Sequence, residues 1–232
     1  MLIDTHSHLF LEEFAEDLPQ VMERARNAGV SSIFMPNIDS TTIDALLSVC
    51  AKYPDLCYPM IGLHPTSVNE TYEQELAIVR ERLSAPNHFV AIGEIGLDLY
   101  WDRTFLKEQL LVFERQIEWA LEYELPVVIH TREAFDYIYK VMEPYKKTAL
   151  RGIFHSFTGT PEELIQTAVG HVGAFWEKDS IMEQGLHITA RINTSQGIRC
   201  RAVADKLPAY VKAVEPSLED AYLYLISREA AQ

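Results

Sequence analysis

The sequence predicts an α/β protein of the (β/α)8 TIM-barrel type, incomplete at about six βα units, with a C-terminal β-hairpin and helix. Short apolar runs alternate six times with segments of helical periodicity in residues 1–168. Polar residues follow five of these six runs, and a barrel gathers the carboxyl ends of its strands on one face. An open doubly wound sheet is the competing arrangement, and the lack of a glycine-rich dinucleotide loop after the first run disfavours it.

Each predicted strand is an apolar run short enough to be a buried strand of a parallel sheet. In chain order the predicted strands are residues 2–8, 30–35, 56–63, 89–92, 127–129 and 150–154. In the first of these, His6 and His8 are two positions apart, which places both side chains on one side of an extended chain.

The predicted helices follow the strands one by one. They cover residues 14–28, 41–53, 72–83, 106–123, 134–142 and 161–168. Gly29 ends the first helix as a C-cap, and Ser40 or Thr41 caps the start of the second. Thr160 caps the sixth, with Pro161 at its first helical position.

Composition excludes several classes of protein. The 232 residues carry a net charge of −14, which argues against tight, sequence-independent binding to duplex DNA. No apolar run approaches the roughly 18 residues of a membrane span, so no membrane partner is expected. Three cysteines without metal spacing (Cys50, Cys57, Cys200), and no signal peptide, predict a reducing cytoplasm.

A metal centre is the main functional prediction. Five potential ligands lie at strand ends: His6, His8, Glu94, His130 and His155. Their imidazole nitrogens and carboxylate oxygens suit one or two divalent ions such as Zn²⁺, Mg²⁺ or Mn²⁺. Glu94 is the natural bridge, and therefore the catalytic candidate, because its two oxygens can face two ions. A two-ion site suits phosphoryl chemistry.

Two further residues are candidates for substrate binding. His64 and Arg132 each lie at a strand end, where each could hold a phosphate or a carboxylate. For Asp98 two interpretations remain: it orients a metal ligand, or it pairs with Arg103.

Five short motifs together resemble the TatD family of metal-dependent deoxyribonucleases, which are amidohydrolase-like barrels. The motifs are Asp-Thr-His-Ser-His at 4–8, Gly-Leu-His-Pro at 62–65, Gly-Glu-Ile-Gly-Leu-Asp at 93–98, His-Thr-Arg at 130–132 and Gly-Ile-Phe-His-Ser-Phe at 152–157. The resemblance implies a phosphodiesterase acting on DNA. It also implies that His6 and His8 serve one ion, His130 and His155 serve the other, and Glu94 bridges both.

The resemblance ends near residue 168. The family continues with two more βα units and a Glu-Thr-Asp-Ser-Pro-type motif whose aspartate completes the first metal shell. This chain has three later aspartates, Asp179, Asp205 and Asp220, none in that context. Reduced activity is therefore expected. The alternatives are a non-catalytic barrel remnant that binds metal or a partner, and a small-molecule amidohydrolase.

The residues that follow have a different pattern and predict a second domain, 173–232, after a first domain of 1–168. Residues 186–192 and 198–204 alternate in hydrophobicity and predict an antiparallel hairpin, and 216–227 predict a terminal helix. The segment resembles the C-terminal end of ABC-transporter ATP-binding subunits, although the chain has no P-loop. The oligomeric state and the choice between DNA and RNA stay open.

Overall fold

The computed structural model describes residues 2–156, 171–176, 187–194, 197–204, 209 and 211–213. The chain divides into two compact units, Met1–Phe157 and Thr158–Gln232. The predicted helix at 161–168 and the predicted terminal helix at 216–227 lie outside the described residues.

The first unit alternates strands and helices throughout. Its elements are β1 Leu2–Asp4, α1 Leu18–Asn27, β2 Val30–Pro36, α2 Ile43–Lys52, β3 Cys57–Met60, α3 Tyr72–Ser84, β4 Ile92–Asp98, α4 Leu106–Glu122, β5 Val127–Arg132, α5 Phe135–Met142 and β6 Gly152–His155. Four short 3-10 turns accompany them, at Glu12–Phe14, Ser40–Thr42, Pro65–Ser67 and Glu143–Tyr145. Among the described residues, no helix has the length and apolarity needed to cross a lipid bilayer.

Strands β1 to β6 are parallel and lie in chain order. β1, β2 and β3 form one sheet, and β4, β5 and β6 form another. A parallel bridge between Ile61 and Ile92 joins the two sheets, and the Gly93 N–H donates to the Ile61 carbonyl at 2.9 Å. Sequential parallel order with a helix between neighbours is the arrangement of a βα-barrel wall, and it brings all six carboxyl ends to one edge.

Helices cover one face of this wall because their apolar positions recur every three or four residues. In α4, the buried side chains include Val112, Phe113 and Ile117, which contribute to the packing of the helix layer on the strands. A second cluster joins α1 and α2 to β2 around Met22 and Ile33. Burying each such side chain stabilises the fold by roughly 1.5–3 kcal/mol.

Strand β4 differs from its prediction in a way that matters for the site. It begins at Ile92, where the predicted strand ends, and continues to Asp98. Gly93 and Gly96 are typical of turns, but both lie inside the strand. Glycine is needed at these positions because β5 passes very close to them. A Cβ on Gly96 would lie 2.1 Å from the His130 carbonyl oxygen, and Gly96 has φ +132°. Glu94 is therefore within a strand and not after one.

The second unit contains a four-stranded sheet. Its strands are β7 His171–Trp176, β8 His187–Thr194, β9 Gly197–Ala204 and β10 Lys212–Ala213, in the order β10-β7-β9-β8. β8 and β9 pair antiparallel, which confirms the predicted hairpin. Strand β7, which pairs antiparallel with β9, is not predicted by the sequence pattern, because His171–Trp176 contains two small residues and shows no clear alternation.

Candidate metal centre

Glu94 is the centre of a cluster at the carboxyl edge of the parallel strands. It lies at a bulge in β4: Gly93 and Ile95 face Val128 and Ile129 of β5, and Glu94 is the extra residue between them. A bulge redirects a side chain from its regular alternation. The Glu94 residue is 3% exposed, so its carboxylate must be satisfied by neighbouring groups.

Histidines from four places in the chain supply those neighbours. Glu94 Oε1 lies 3.0 Å from His130 Nδ1. Glu94 Oε2 lies 3.1 Å from His6 Nε2 and 3.6 Å from His64 Nε2. His155 stacks on His6 with ring centroids 3.6 Å apart, although the two residues are 149 positions apart in sequence (155 − 6). The structure thus brings together His6, His64, Glu94, His130 and His155.

Two groups of donor atoms share this carboxylate. One consists of His6, Glu94 and His155, and the other of His64, Glu94 and His130, with ligand atoms within 4.8 Å of one another in each group. His8 joins the first group, because His8 Nε2 lies 3.1 Å from His6 Nε2. All five predicted ligands therefore lie in one cluster, with His64 beside them.

The hydrogen bonds of His8 prepare it to bind a cation. Its Nδ1 lies 3.0 Å from the Pro36 carbonyl oxygen, which can only accept, so Nδ1 carries the proton. In the neutral ring, Nε2 is then left with a lone pair directed at the cluster. A backbone carbonyl that holds one ring nitrogen while the other faces the ion is the usual support for a metal-binding histidine.

His64 has the opposite tautomer. The Thr66 backbone N–H donates to His64 Nδ1 at 3.2 Å, and the Thr66 hydroxyl lies 2.7 Å from the same nitrogen. An amide N–H can only donate, so Nδ1 accepts and the proton of the neutral ring is on Nε2. The N–H that faces Glu94 can donate to an oxygen but is not a free ligand for a cation. His64 therefore differs from His8, whose Nε2 carries a lone pair.

Asp98 orients His130. Asp98 Oδ2 lies 2.9 Å from His130 Nε2, while Asp98 Oδ1 accepts the Tyr100 backbone N–H at 3.1 Å. Arg103, the alternative partner, instead contacts Glu133 at 3.3 Å. Of the two interpretations of Asp98, the structure thus favours the orientation of a ligand.

The electrostatics of the cluster differ from one histidine to the next. Burial lowers the pKa of His64 to about 4 and lowers the pKa of His8 and of His155. Burial acts in the same direction on His130, but the hydrogen bond and charge of Glu94, with those of Asp98, outweigh it and raise the pKa.

Glu94 stays ionised in this setting. Burial alone would raise its pKa, but hydrogen bonds from His130 and His6, together with the charge of His64, hold it well below the usual range. A buried carboxylate that remains an anion at neutral pH is an acceptor for cations.

The donor set fits a divalent cation. It combines imidazole nitrogens with one shared carboxylate, which are ligands that Zn²⁺ and similar ions take. His6 Nδ1 is buried and has no hydrogen-bond partner, so the protein alone does not satisfy this ring. The Nε2 atoms of His6 and His8 lie 3.1 Å apart, and a shared cation would stabilise this arrangement.

Two glutamines of α4, missed by the sequence analysis, hold the backbone of the site. Gln116 Oε1 accepts the Leu63 N–H at 2.7 Å and Gln116 Nε2 donates to the Leu63 carbonyl at 3.3 Å. Gln109 makes the same pair of bonds to Asp98, at 3.0 and 3.2 Å. Both glutamines are buried, at 0% and 4% exposure. Two polar residues seven positions apart on the apolar face of a helix were the available signal.

Arg132, at the end of β5, lies against two aromatic rings. Its guanidinium carbon lies 3.8 Å from the centre of the Tyr100 ring and 5.2 Å from that of Trp101. Its backbone carbonyl accepts the Leu99 N–H at 2.9 Å. Arg132 thus lies at the carboxyl edge that carries His130, as expected.

Known proteins have sequences similar to this chain. The chain is 40% identical over 162 residues to a Bacillus subtilis protein named "Uncharacterized metal-dependent hydrolase YabD", a match covering 70% of this chain and 63% of that one. It is 33% identical over 163 residues to the 3'-5' ssDNA/RNA exonuclease TatD of Erwinia tasmaniensis, covering 70% and 62%.

A solved structure is also similar. It is that of YJJV, a TatD homolog from Escherichia coli K12, with a TM-score of 0.65, 29% identity, and coverage of 71% of this chain and 63% of that one. The prediction of a TIM-barrel-type fold is confirmed, and the described residues contain six parallel strands in chain order with five α-helices between them. The chain spans less than two thirds of the length of these relatives.

The family model named "TatD related DNase" matches residues 3–175, which contain every ligand candidate described above. Because this match covers most of the chain, the protein belongs to the TatD related DNase family.

Proposed function

We propose that this chain is a metal-dependent nuclease that hydrolyses phosphodiester bonds of single-stranded nucleic acid, with DNA as its expected substrate. The observation that carries the proposal is the placement of Glu94. Its two buried oxygens face different ligand candidates, with Oε1 beside His130 and Oε2 beside His6. A single carboxylate between two sets of nitrogen donors is the arrangement that two neighbouring ions require.

The ligands in this proposal are His6, His8, Glu94, His130 and His155. Divalent ions held there would supply a Lewis acid for a phosphoryl oxygen and lower the pKa of water. The assay below compares Zn²⁺, Mg²⁺ and Mn²⁺. The ring arrangement supports this ligand set, because His8 directs a lone pair at the cluster whereas His64 directs an N–H.

The remaining site residues act on the substrate or on the ligands. His64, neutral at pH 7, would donate its Nε2–H to a phosphate oxygen. Arg132 would hold a phosphate by charge and hydrogen bonds. Asp98 keeps the His130 ring in place through its contact at 2.9 Å.

Two further features support a single-stranded substrate, and a third supports a cytoplasmic location. The net charge of −14 disfavours the wide phosphate contacts that duplex binding needs. The relative from Erwinia tasmaniensis is named for exonuclease action on single-stranded DNA and RNA. All three cysteines are unpaired and buried, in keeping with a reducing compartment.

The test is hydrolysis of a fluorescent single-stranded oligodeoxynucleotide by the full chain, with Mg²⁺, Mn²⁺ or Zn²⁺ and with EDTA. We expect cleavage that needs a divalent ion and that falls by at least about 10²-fold in Glu94→Gln. Glu118→Gln, an exposed carboxylate of α4, is the matched control and should retain the wild-type rate. Cleavage that persists in EDTA or in Glu94→Gln would contradict the proposal. Metal binding without cleavage would favour a non-catalytic barrel remnant.

A further inference from the structure

An exposed aromatic pair lies next to the metal centre, and no role has been assigned to it. Trp101 is 71% exposed and Tyr100 is 50% exposed, and Trp101 is the most exposed large hydrophobic residue named in the described part of the chain. Their ring centroids lie 4.8 Å apart with the planes at 87°. Exposing two large aromatic side chains side by side forgoes the stabilisation that burial would provide.

The pair is attached to the site through Asp98. Asp98 Oδ1 accepts the backbone N–H of Tyr100 at 3.1 Å, and that of Trp101 lies 3.5 Å away. The other oxygen of the same carboxylate holds His130. The side chain that orients a ligand candidate thus also fixes the turn that presents the two rings.

A cation completes the arrangement. The Arg132 guanidinium lies over the Tyr100 ring at 3.8 Å and near Trp101 at 5.2 Å. Among the described residues, no salt bridge occupies Arg132, whereas the nearby Arg103 pairs with Glu133. A planar cation on an aromatic face keeps its N–H groups free at its edge, where they can meet a phosphate.

We propose that Tyr100, Trp101 and Arg132 form a stacking platform for a single-stranded nucleic acid. The Trp101 indole would stack on an unpaired base beside the scissile phosphate, and the Arg132 guanidinium would hold a neighbouring phosphate. This inference rests on the proposed function and specifies how its substrate is recognised. Stacking uses the face of the base, so it needs a base outside a duplex and tolerates any sequence.

The geometry favours a base over an apolar peptide side chain. The platform combines ring faces with a guanidinium and lies beside a cluster suited to phosphoryl chemistry. An apolar partner would leave Arg132 without an anion. In a chain with net charge −14, a cation such as Arg132, which has no salt bridge to any residue that the structure describes, draws a phosphate to the site.

The test is equilibrium binding of a 5'-fluorescein-labelled decathymidylate, followed by anisotropy in EDTA so that no hydrolysis occurs. Trp101→Leu should weaken binding about 5- to 100-fold, and Trp101→Phe, which retains an aromatic face, should recover most of the affinity. Tyr137→Ala is the matched control, because Tyr137 is 37% exposed and also faces a cation, Lys140, at 5.5 Å. It should bind as the wild type does.

A second oligonucleotide makes the test specific for stacking. When the last two 3' nucleotides lack bases, the wild type should bind about as weakly as Trp101→Leu binds the intact strand, and the two losses should not add. Equal binding of the intact strand by Trp101→Leu and Tyr137→Ala would overturn the platform, as would no binding by the wild type. Binding that depends on Trp101 without hydrolysis in the nuclease assay would reject the proposed function and retain the platform.

Discussion

At the scale of single residues, Glu94 determines how the site is organised. It belongs to both groups of donor atoms, whereas His64 belongs to one and directs an N–H at the cluster. Glu94→Ala should therefore lower the number of bound metal ions per chain more than His64→Ala does. Elemental analysis after dialysis against Mn²⁺ or Zn²⁺ measures this number. Equal metal loss in the two variants would make His64 a ligand and contradict its assignment to the substrate.

His64 also makes stability depend on pH. Its pKa is about 4 in the folded protein and about 6.5 in the unfolded chain, so between these values the unfolded chain binds more protons. The free energy of unfolding should thus fall as pH drops from 6.5 to 4, with His64 contributing on the order of 3 kcal/mol. His8, His155 and Glu94 act in the same direction, whereas His130, whose pKa is raised, acts oppositely.

Urea unfolding in EDTA at pH 7 and pH 4.5 tests this dependence. The His64→Asn variant should lose less stability between the two pH values than the wild type, because it lacks the buried ring. Identical losses in the two proteins would show that the ring is protonated as readily in the folded state as in the unfolded one.

At the scale of elements, α4 connects the core to the site. Gln116 holds the backbone of Leu63, which precedes His64. Gln109 holds the backbone of Asp98, which is next to the turn that contains Tyr100. Gln116→Met fills a similar volume but leaves the Leu63 N–H buried without an acceptor. We expect a loss of about 1–3 kcal/mol in the free energy of unfolding.

Chemical denaturation of Gln116→Met beside Glu114→Met measures that loss. Glu114 is exposed on the same helix, so its substitution should change stability by less than about 0.5 kcal/mol. A Gln116→Met protein as stable as Glu114→Met would mean that the two hydrogen bonds to Leu63 contribute nothing net.

Strand β4 shows which parts of the fold and of the site the sequence could predict and which it could not. Apolar runs and helical periodicity identify every helix and strand of the first unit, since each element buries one face. The predicted end of this strand, at residue 92, was wrong because Gly93 and Gly96 are also typical of turns. Both glycines are required because β5 passes close to them, and this tertiary contact cannot be read from the local sequence pattern. The same limit applies to the tautomers of His8 and His64, which depend on Pro36 and Thr66.

At the scale of the whole molecule, the expected defect is in catalysis. Among the described residues, the two donor groups contain one carboxylate, Glu94. Asp179, Asp205 and Asp220 lie outside the described residues, and none matches the family's catalytic aspartate motif. The two carboxylates that the described residues place in the cluster, Glu94 and Asp98, both already contact histidines, so neither is free to accept a proton from water, and the rate should be lower by about 10²–10⁴. The two-domain division at 168 and 173, and the resemblance of the C-terminal segment to ATP-binding subunits, stay predictions.

The most direct measurement is metal-dependent cleavage of a single-stranded oligodeoxynucleotide by the wild type and by His130→Ala. The exonuclease of Erwinia tasmaniensis is assayed in parallel as the benchmark. The account predicts slow cleavage that requires a divalent ion, that lies about 10²–10⁴ below the benchmark, and that is lost in His130→Ala. Cleavage at the benchmark rate, cleavage that survives in His130→Ala, or no cleavage with any ion would contradict it.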